Sequence, residues 1–227
     1  MKILAIETAT EMCSVALWHD GTVIEHAQRT SQGHSDLILQ MASDVLAAAH
    51  TSLTECDLLA YGDGPGSFTA LRIGVGIAQG IGLGAGLPLI GISSLQALAQ
   101  RYAVPANTGV LSAFDARMGE VYWCCFVPGA DAEMVPLNEA QVGPVASIEL
   151  SKERAWLMVG SGVDVYLDTL TKRFANLSLT HIEQVFPRAT EVAALAAMDR
   201  SKTTTAGGAE PRYVRNRVAE PQTKANA

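Results

Sequence analysis

The chain has 227 residues, with 16 Lys plus Arg against 23 Asp plus Glu, a formal charge of -7 and 48% hydrophobic residues. That balance excludes a stand-alone nucleic-acid binder, because phosphate neutralisation supplies most of such affinity. With only 17% charged residues it also excludes a solvated disordered chain and leaves one large domain, or two small lobes, with ample core.

Ile3 to Ile6 is an apolar run ended by Glu7, too short for the apolar region of a secretion signal. Ser14 to Trp18 reads as a second strand, Asp20-Gly21 as a hairpin turn and Val23-Ile24 as a third strand. His34-Ser35-Asp36 reads as a helix start with Ser35 as N-cap. Leu37, Ile38, Met41, Val45, Leu46 and Ala49 then recur at helical spacing to about His50. Leu58 to Tyr61 is the next strand, and Gly62 to Ser67 is a turn leading into a helix from about Phe68. Ile73 to Ile92 approaches bilayer-spanning length, with Gln79 as its one polar break. Its seven glycines and Pro88 instead indicate a buried helix running into the strand Leu89 to Ile92, so no membrane span is expected. Ser93-Ser94 begins a helix ending near Tyr102.

The second half repeats this grammar. Val110 to Phe114, ended by Asp115 and followed by Val121 to Val127, parallels Ile3 to Glu7 and Ser14 to Trp18 at an offset of 108. Trp156 to Val159 with Gly160-Ser161-Gly162 parallels Leu58 to Tyr61 with Gly62-Asp63-Gly64 at an offset of 98. Two matched landmarks point to an internal duplication, the alternative being the strand-then-glycine recurrence of any α/β protein. Lobes at 1–104 and 105–205 with a tail at 206–227 follow, carrying -5, -4 and +2. The first lobe's 13 charges in 104 residues suit a surface covered by another protein.

Glu7-Thr8 and Asp115, at corresponding strand ends, would face one another across a cleft and could hold hydrated magnesium and nucleotide phosphates; solvated turn residues are the alternative. Gly62 to Ser67, with Gly64, Gly66 and Ser67 at a helix start, suits an anion or is simply a tight turn. It matches neither GxxxxGK[ST] nor a full GxGxxG, which excludes an ordinary P-loop or dinucleotide fold. Gly76, Gly80 and Gly84 make a groove along one helix face, with the apolar helix from Leu37 to Ala49 as its companion. Asp115 to Trp123 either lines a cleft or forms a salt-bridged hairpin. No HxxxH, HExxH or GxSxG is present, and Cys13, Cys56, Cys124 and Cys125 show no metal or CxxC spacing, which fits a reduced cytoplasm.

Four blocks together resemble the TsaB (YeaZ) family of bacterial tRNA threonylcarbamoyladenosine synthesis. They are Ile3 to Thr10 with Cys13 to Leu17, Gly64 to Thr69 with Leu71 to Gly74, Asp115 to Trp123, and Pro211 to Arg215. The resemblance implies an actin-like ATPase (ribonuclease H-like) fold of two duplicated lobes, each a mixed sheet with flanking helices. It implies a noncatalytic protein without cofactor or metal that pairs with TsaD as a heterodimer, with TsaE joining in a ternary complex, and that serves tRNA indirectly. Whether the chain homodimerises alone stays open. In TsaD an HxxxH metal motif stands where this chain has Ser94 and Leu98. The expected partner face comprises Leu37, Met41, Val45, Arg72, Gly76, Gly80 and Gly84. Nucleotide-site candidates are Glu7, Thr8, Gly64, Gly66, Ser67 and Asp115. Position 7 is Glu where the family usually has Asp, and position 70 is Ala where it usually has Gly, departures that weaken a magnesium or phosphate site. A nucleotide-binding phosphotransferase and a metallopeptidase-like hydrolase are the alternatives. In the tail, Arg212, Arg215 and Arg217 approach phosphate or pair with the protein's own acids.

Overall fold

The computed structural model describes residues 1–30, 33–102 and 104–214. Strands β1 (Lys2–Glu7), β2 (Met12–His19) and β3 (Thr22–Arg29) form an antiparallel meander. Asp20 and Gly21, at φ 48° and 89°, supply the two left-handed residues that a tight hairpin needs. Strands β4 (Leu58–Gly64) and β5 (Leu89–Ser93) add in parallel beyond β1, giving the order β3-β2-β1-β4-β5. The second sheet contains β6 (Thr108–Arg117), β7 (Glu120–Pro128), β8 (Met134–Pro136), β9 (Gln141–Pro144), β10 (Ala155–Val159) and β11 (Leu179–Ile182). Its order is β11-β10-β6-β7-β8, with β9 also on β7. Outward from β1 and from β6, antiparallel and parallel neighbours follow in the same sequence. The duplication legible in the chain therefore recurs strand for strand, and the fold is the expected pair of mixed sheets with flanking helices.

Alternation along the strands builds a core on each face of each sheet. Leu4 and Ile6 face α1 (His34–Ala48) and α2 (Phe68–Ala85), whereas Ile3 and Ala5 face α5 (Ala189–Met198). In the second sheet Leu111 and Trp123 face α4 (Ser161–Arg173), and Val110 and Phe126 face α3 (Ser94–Gln100). The inner helices are exchanged. α3 follows the last strand of the first sheet yet buries Leu95 and Leu98 against the second. α5 follows the last strand of the second sheet yet packs on β1 and β2, where the Ala189 N–H donates to Ser14 Oγ (2.9 Å). Arg101 and Glu191 join the region of the two inner helices by an ion pair at 3.2 Å. Helices from residues 1–104 and from 105–205 thus each serve the other segment's sheet.

Two local expectations need correction. The first helix begins at His34 with Gly33, not Ser35, at its cap; Gly33 at φ 88° lets the chain turn in early, and Ser35 Oγ donates to the Asp36 carboxylate instead (3.3 Å). The glycine turn is also shorter than expected, because β4 continues through Gly64 and leaves only Pro65 to Ser67 before α2. α2 is long and apolar enough by composition to cross a membrane, and one third of it is buried in the protein. Gly86 at φ 68° ends it ahead of β5, the helix-then-strand order expected for this stretch.

Candidate functional site at the interlobe cleft and the helix face

β1, β4 and β5 run in parallel and end side by side, which brings Glu7, Asp63 and Ser94 together at the floor of the space between the lobes. Glu7 is fully buried. Its Oε1 accepts from the Ala9 N–H (2.6 Å) and its Oε2 from the Ser94 hydroxyl (2.7 Å). Burial pushes its pKa from 4.5 up to about 7, with the neighbouring Asp63 adding to the rise against these hydrogen bonds. A Cβ at Gly62 would overlap Glu7 Oε2, so the strand glycine exists to make room for the acid. The expectation that Glu7 reaches a nucleotide or magnesium is corrected: the side chain is sealed among its own strands.

Thr8 is likewise buried, its hydroxyl donating to the Ala70 carbonyl (2.9 Å) and filling the space that Gly74 leaves open. It fastens the end of β1 to the first turn of α2 and is not a phosphate ligand. Gly64, at φ 107°, lies behind Leu71. At Gly66 an added Cβ would overlap the Ala9 carbonyl, and that carbonyl accepts from the Ser67 N–H (2.8 Å). The chain itself thereby engages the Ser67 N–H, the last donor before α2. Gly66→Ala is expected to lower stability by about 2 kcal/mol or more, because backbone must shift to admit the methyl group. A urea midpoint equal to wild type would contradict this packing.

A cleft of about 860 Å³ remains in front of this floor. Gly66, Ser67 and Asp115 line it, together with the starts of α1 and α4, whereas Glu7, Thr8 and Gly64 do not. Asp115 is engaged within its own hairpin. Its Oδ1 accepts from the Arg117 N–H (2.9 Å), and its Oδ2 pairs with the Arg117 guanidinium (3.1 Å). Both readings of Asp115 to Trp123 hold together: the segment is a salt-bridged hairpin, and Asp115, Ala116, Arg117 and Tyr122 line the cleft. Ser94 and Leu98 are both fully buried, Ser94 on Glu7 and Leu98 in the core between α3 and the second sheet. Among the described residues no group of three or more His, Cys, Asp or Glu could hold a metal ion. All four cysteines are buried free thiols; burial pushes Cys13 and Cys56 up to about 11 and Cys124 and Cys125 up to about 12, which leaves no ready thiolate.

On the outer side of the first lobe, α1 and α2 each bury one stripe and expose another. Met41 and Val45 are only 2% exposed and sit in the core, so they cannot meet a partner directly, and Leu37 is half-buried at their margin. Arg72, Gly76, Gly80 and Gly84 form an exposed stripe on α2. Apart from the helix's own backbone and the adjacent residues, no atom of the described residues lies within 4 Å of where a Cβ would stand at any of these three glycines. Leu83 beside them is 80% exposed, and Leu39 on α1 is exposed too. Missed in the sequence was Asp63, whose carboxylate pairs with Arg212 at 2.8 Å. Its signal was an acid inside an apolar strand, which demands a counter-charge. Arg212 thus pairs with one of the protein's own acids; Arg215 and Arg217 lie outside the described residues.

The family model described as TsaD, tRNA N6-adenosine threonylcarbamoyltransferase, matches residues 22–226. The chain is 44% identical over 227 residues to the tRNA threonylcarbamoyladenosine biosynthesis protein TsaB of Escherichia coli (strain K12), covering 96% of each. A crystal structure of a Pseudomonas aeruginosa protein described as similar to the peptidase YeaZ superposes with a TM-score of 0.86 at 32% identity, covering 94% of this chain and 99% of that one. A second structure, of YeaZ from Pseudomonas aeruginosa, gives 0.81 at 32% identity with coverage of 93% and 99%.

Proposed function

Because this chain belongs to the TsaB (YeaZ) family, and is matched over most of its length by the TsaD family model, we propose that it is the noncatalytic partner of TsaD. In this reading it is required for transfer of the threonylcarbamoyl group from threonylcarbamoyl-AMP to N6 of adenosine 37 in tRNAs that read codons beginning with A. One contrast carries the reading. Glu7 is withdrawn into the core and Asp115, although at the cleft wall, is tied to Arg117, while the glycine stripe of α2 is left bare by the described residues. Chemistry is closed and docking is open.

TsaD docks on the exposed stripe of α2 with the adjoining margin of α1, TsaE joins the pair, and all act in the cytoplasm. Bare glycine backbone lets a partner helix approach closely, and the exposed Leu83 and Leu39 add apolar area. The basic surface for tRNA comes from the partner, since this chain carries -7. Residues 1–104 form the docking lobe, 105–205 support it, and 206–227 are the tail. The cleft residues Gly66, Ser67 and Asp115 act as wall and not as catalysts. Reconstituting the modification from TsaD and TsaE with and without this chain tests the proposal. Transfer is expected only when the chain is present, and full activity in its absence would reject the reading.

A further inference from the structure

After α5 the chain doubles back across the first lobe. Thr204 exchanges backbone hydrogen bonds of 2.7 and 2.8 Å with Leu89, at the free edge of the first sheet. Ala209 is buried in the core beneath α1 and α2. Gln79 Nε2 donates to the Ala209 carbonyl (2.8 Å), and Arg72 Nε donates to the Tyr213 hydroxyl (2.9 Å). Residues 204–214 therefore form a strap antiparallel to α2. From Arg72 to Gln79 the helix advances roughly 10 Å, and four extended residues from Ala209 to Tyr213 span about 13 Å.

The far end of the strap is clasped. The Arg212 N–H donates to the Asp63 carbonyl (2.7 Å), and its guanidinium donates to Asp63 Oδ2 (2.8 Å). Asp63 is buried, and its Oδ1 has no hydrogen-bond partner among the described residues, so this carboxylate depends on Arg212 for its ion pair. The clasp seats Tyr213 with its ring 6.1 Å from that of Phe68. The Arg72 guanidinium lies over the Phe68 ring, 3.7 Å from its centre, and 5.8 Å from the centre of the Tyr213 ring.

Phe68 and Tyr213 stand at the edge of the cleft and remain 46% and 48% exposed, so packing among the described residues leaves this cluster uncovered. Arg72 is the sole charged residue of α2 and heads the stripe that continues through Gly76, Gly80 and Gly84. Arg and Tyr are enriched at the energetic centres of interfaces. A guanidinium already held against aromatic rings has surrendered its rotamer freedom before a partner arrives.

Resting on the docking reading above, we propose that the partner-facing surface extends from α2 onto the strap, with Phe68, Arg72 and Tyr213 as an anchor for a partner carboxylate flanked by apolar side chains. Arg212 is a positioning residue that acts through Tyr213. The test is calorimetric titration of TsaD into the full chain carrying Arg72→Ala, Tyr213→Ala, both together, Tyr213→Phe, or Arg212→Ala. Arg72→Ala and Tyr213→Ala are each expected to weaken binding about tenfold or more, and the double variant by less than the product of the two, because the side chains act as one unit. Arg72→Ala should also remove most of the salt dependence of binding. Tyr213→Phe, which keeps the ring, should lose less than Tyr213→Ala. Arg212→Ala should weaken binding and speed amide exchange at residues 209–214. Wild-type affinity in both alanine variants, or losses that simply multiply, would overturn the extension while the docking reading stands. A wild-type chain that does not bind TsaD would overturn the docking reading and this extension with it.

Discussion

Glu7→Gln is expected to melt higher than the wild-type protein at pH 8 and to lose that advantage near pH 4.5. The native pKa of Glu7 is raised from 4.5 to about 7, chiefly by burial. Between those values the folded protein holds a proton that the unfolded chain releases, so its stability falls as pH rises and levels off above pH 7. A rise of that size corresponds to about 3 kcal/mol, or roughly 6–12 °C in Tm for a domain of this length. The amide keeps the geometry: its oxygen accepts from Ala9, its nitrogen donates to Ser94, and its size still fits against Gly62. Thermal melts of both proteins from pH 4.5 to 8 decide the matter. A constant offset between them would mean that Glu7 does not titrate in this window.

Gly80→Leu is expected to weaken TsaD binding by at least about 100-fold, or roughly 3 kcal/mol, without lowering the melting temperature. Among the described residues no other element approaches the place its Cβ would occupy, and α2 buries Ala70, Leu71, Val75 and Ala78 away from it. Leu is also the better helix former by about 1 kcal/mol, so the fold is unharmed. What changes is the outer surface, where a branched side chain fills the groove that a partner helix needs. Titration calorimetry beside a thermal melt separates the two effects. Undiminished affinity would place docking elsewhere on the molecule.

Local sequence rules carried much of the fold. Asp20-Gly21, the apolar runs before Glu7 and Asp115, and the Ser93 start of α3 all behaved as their residue types dictate, and the duplicated landmarks foretold two like sheets. The failures were tertiary. Gly62 looked like part of a turn, yet its missing side chain serves Glu7 from within a strand, a relation between residues 55 positions apart. Met41 and Val45 shared helical spacing with Leu37, but spacing identifies the apolar face without saying whether a sheet or a partner covers it. The exchange of α3 and α5 between sheets, and the clasp of Asp63 by Arg212, depend on long returns of the chain that no local pattern encodes. The candidate site followed the same division: the i, i+4 spacing of Gly76, Gly80 and Gly84 placed them on one helix face. Gly74 and Gly82 of the same helix are buried, so only the fold shows which face is exposed, and strand-end acids likewise can face either way.

One measurement bears most directly on the proposal that this chain serves transfer by docking and not by chemistry of its own. Threonylcarbamoyl transfer to tRNA is reconstituted with TsaD and TsaE, using either Glu7→Gln combined with Asp115→Asn or Gly80→Leu in place of the wild-type chain. The double substitution is predicted to support transfer at the wild-type rate, and Gly80→Leu to reduce it to the level seen without the chain. Loss of transfer with the double variant, together with full transfer by Gly80→Leu, would contradict the account.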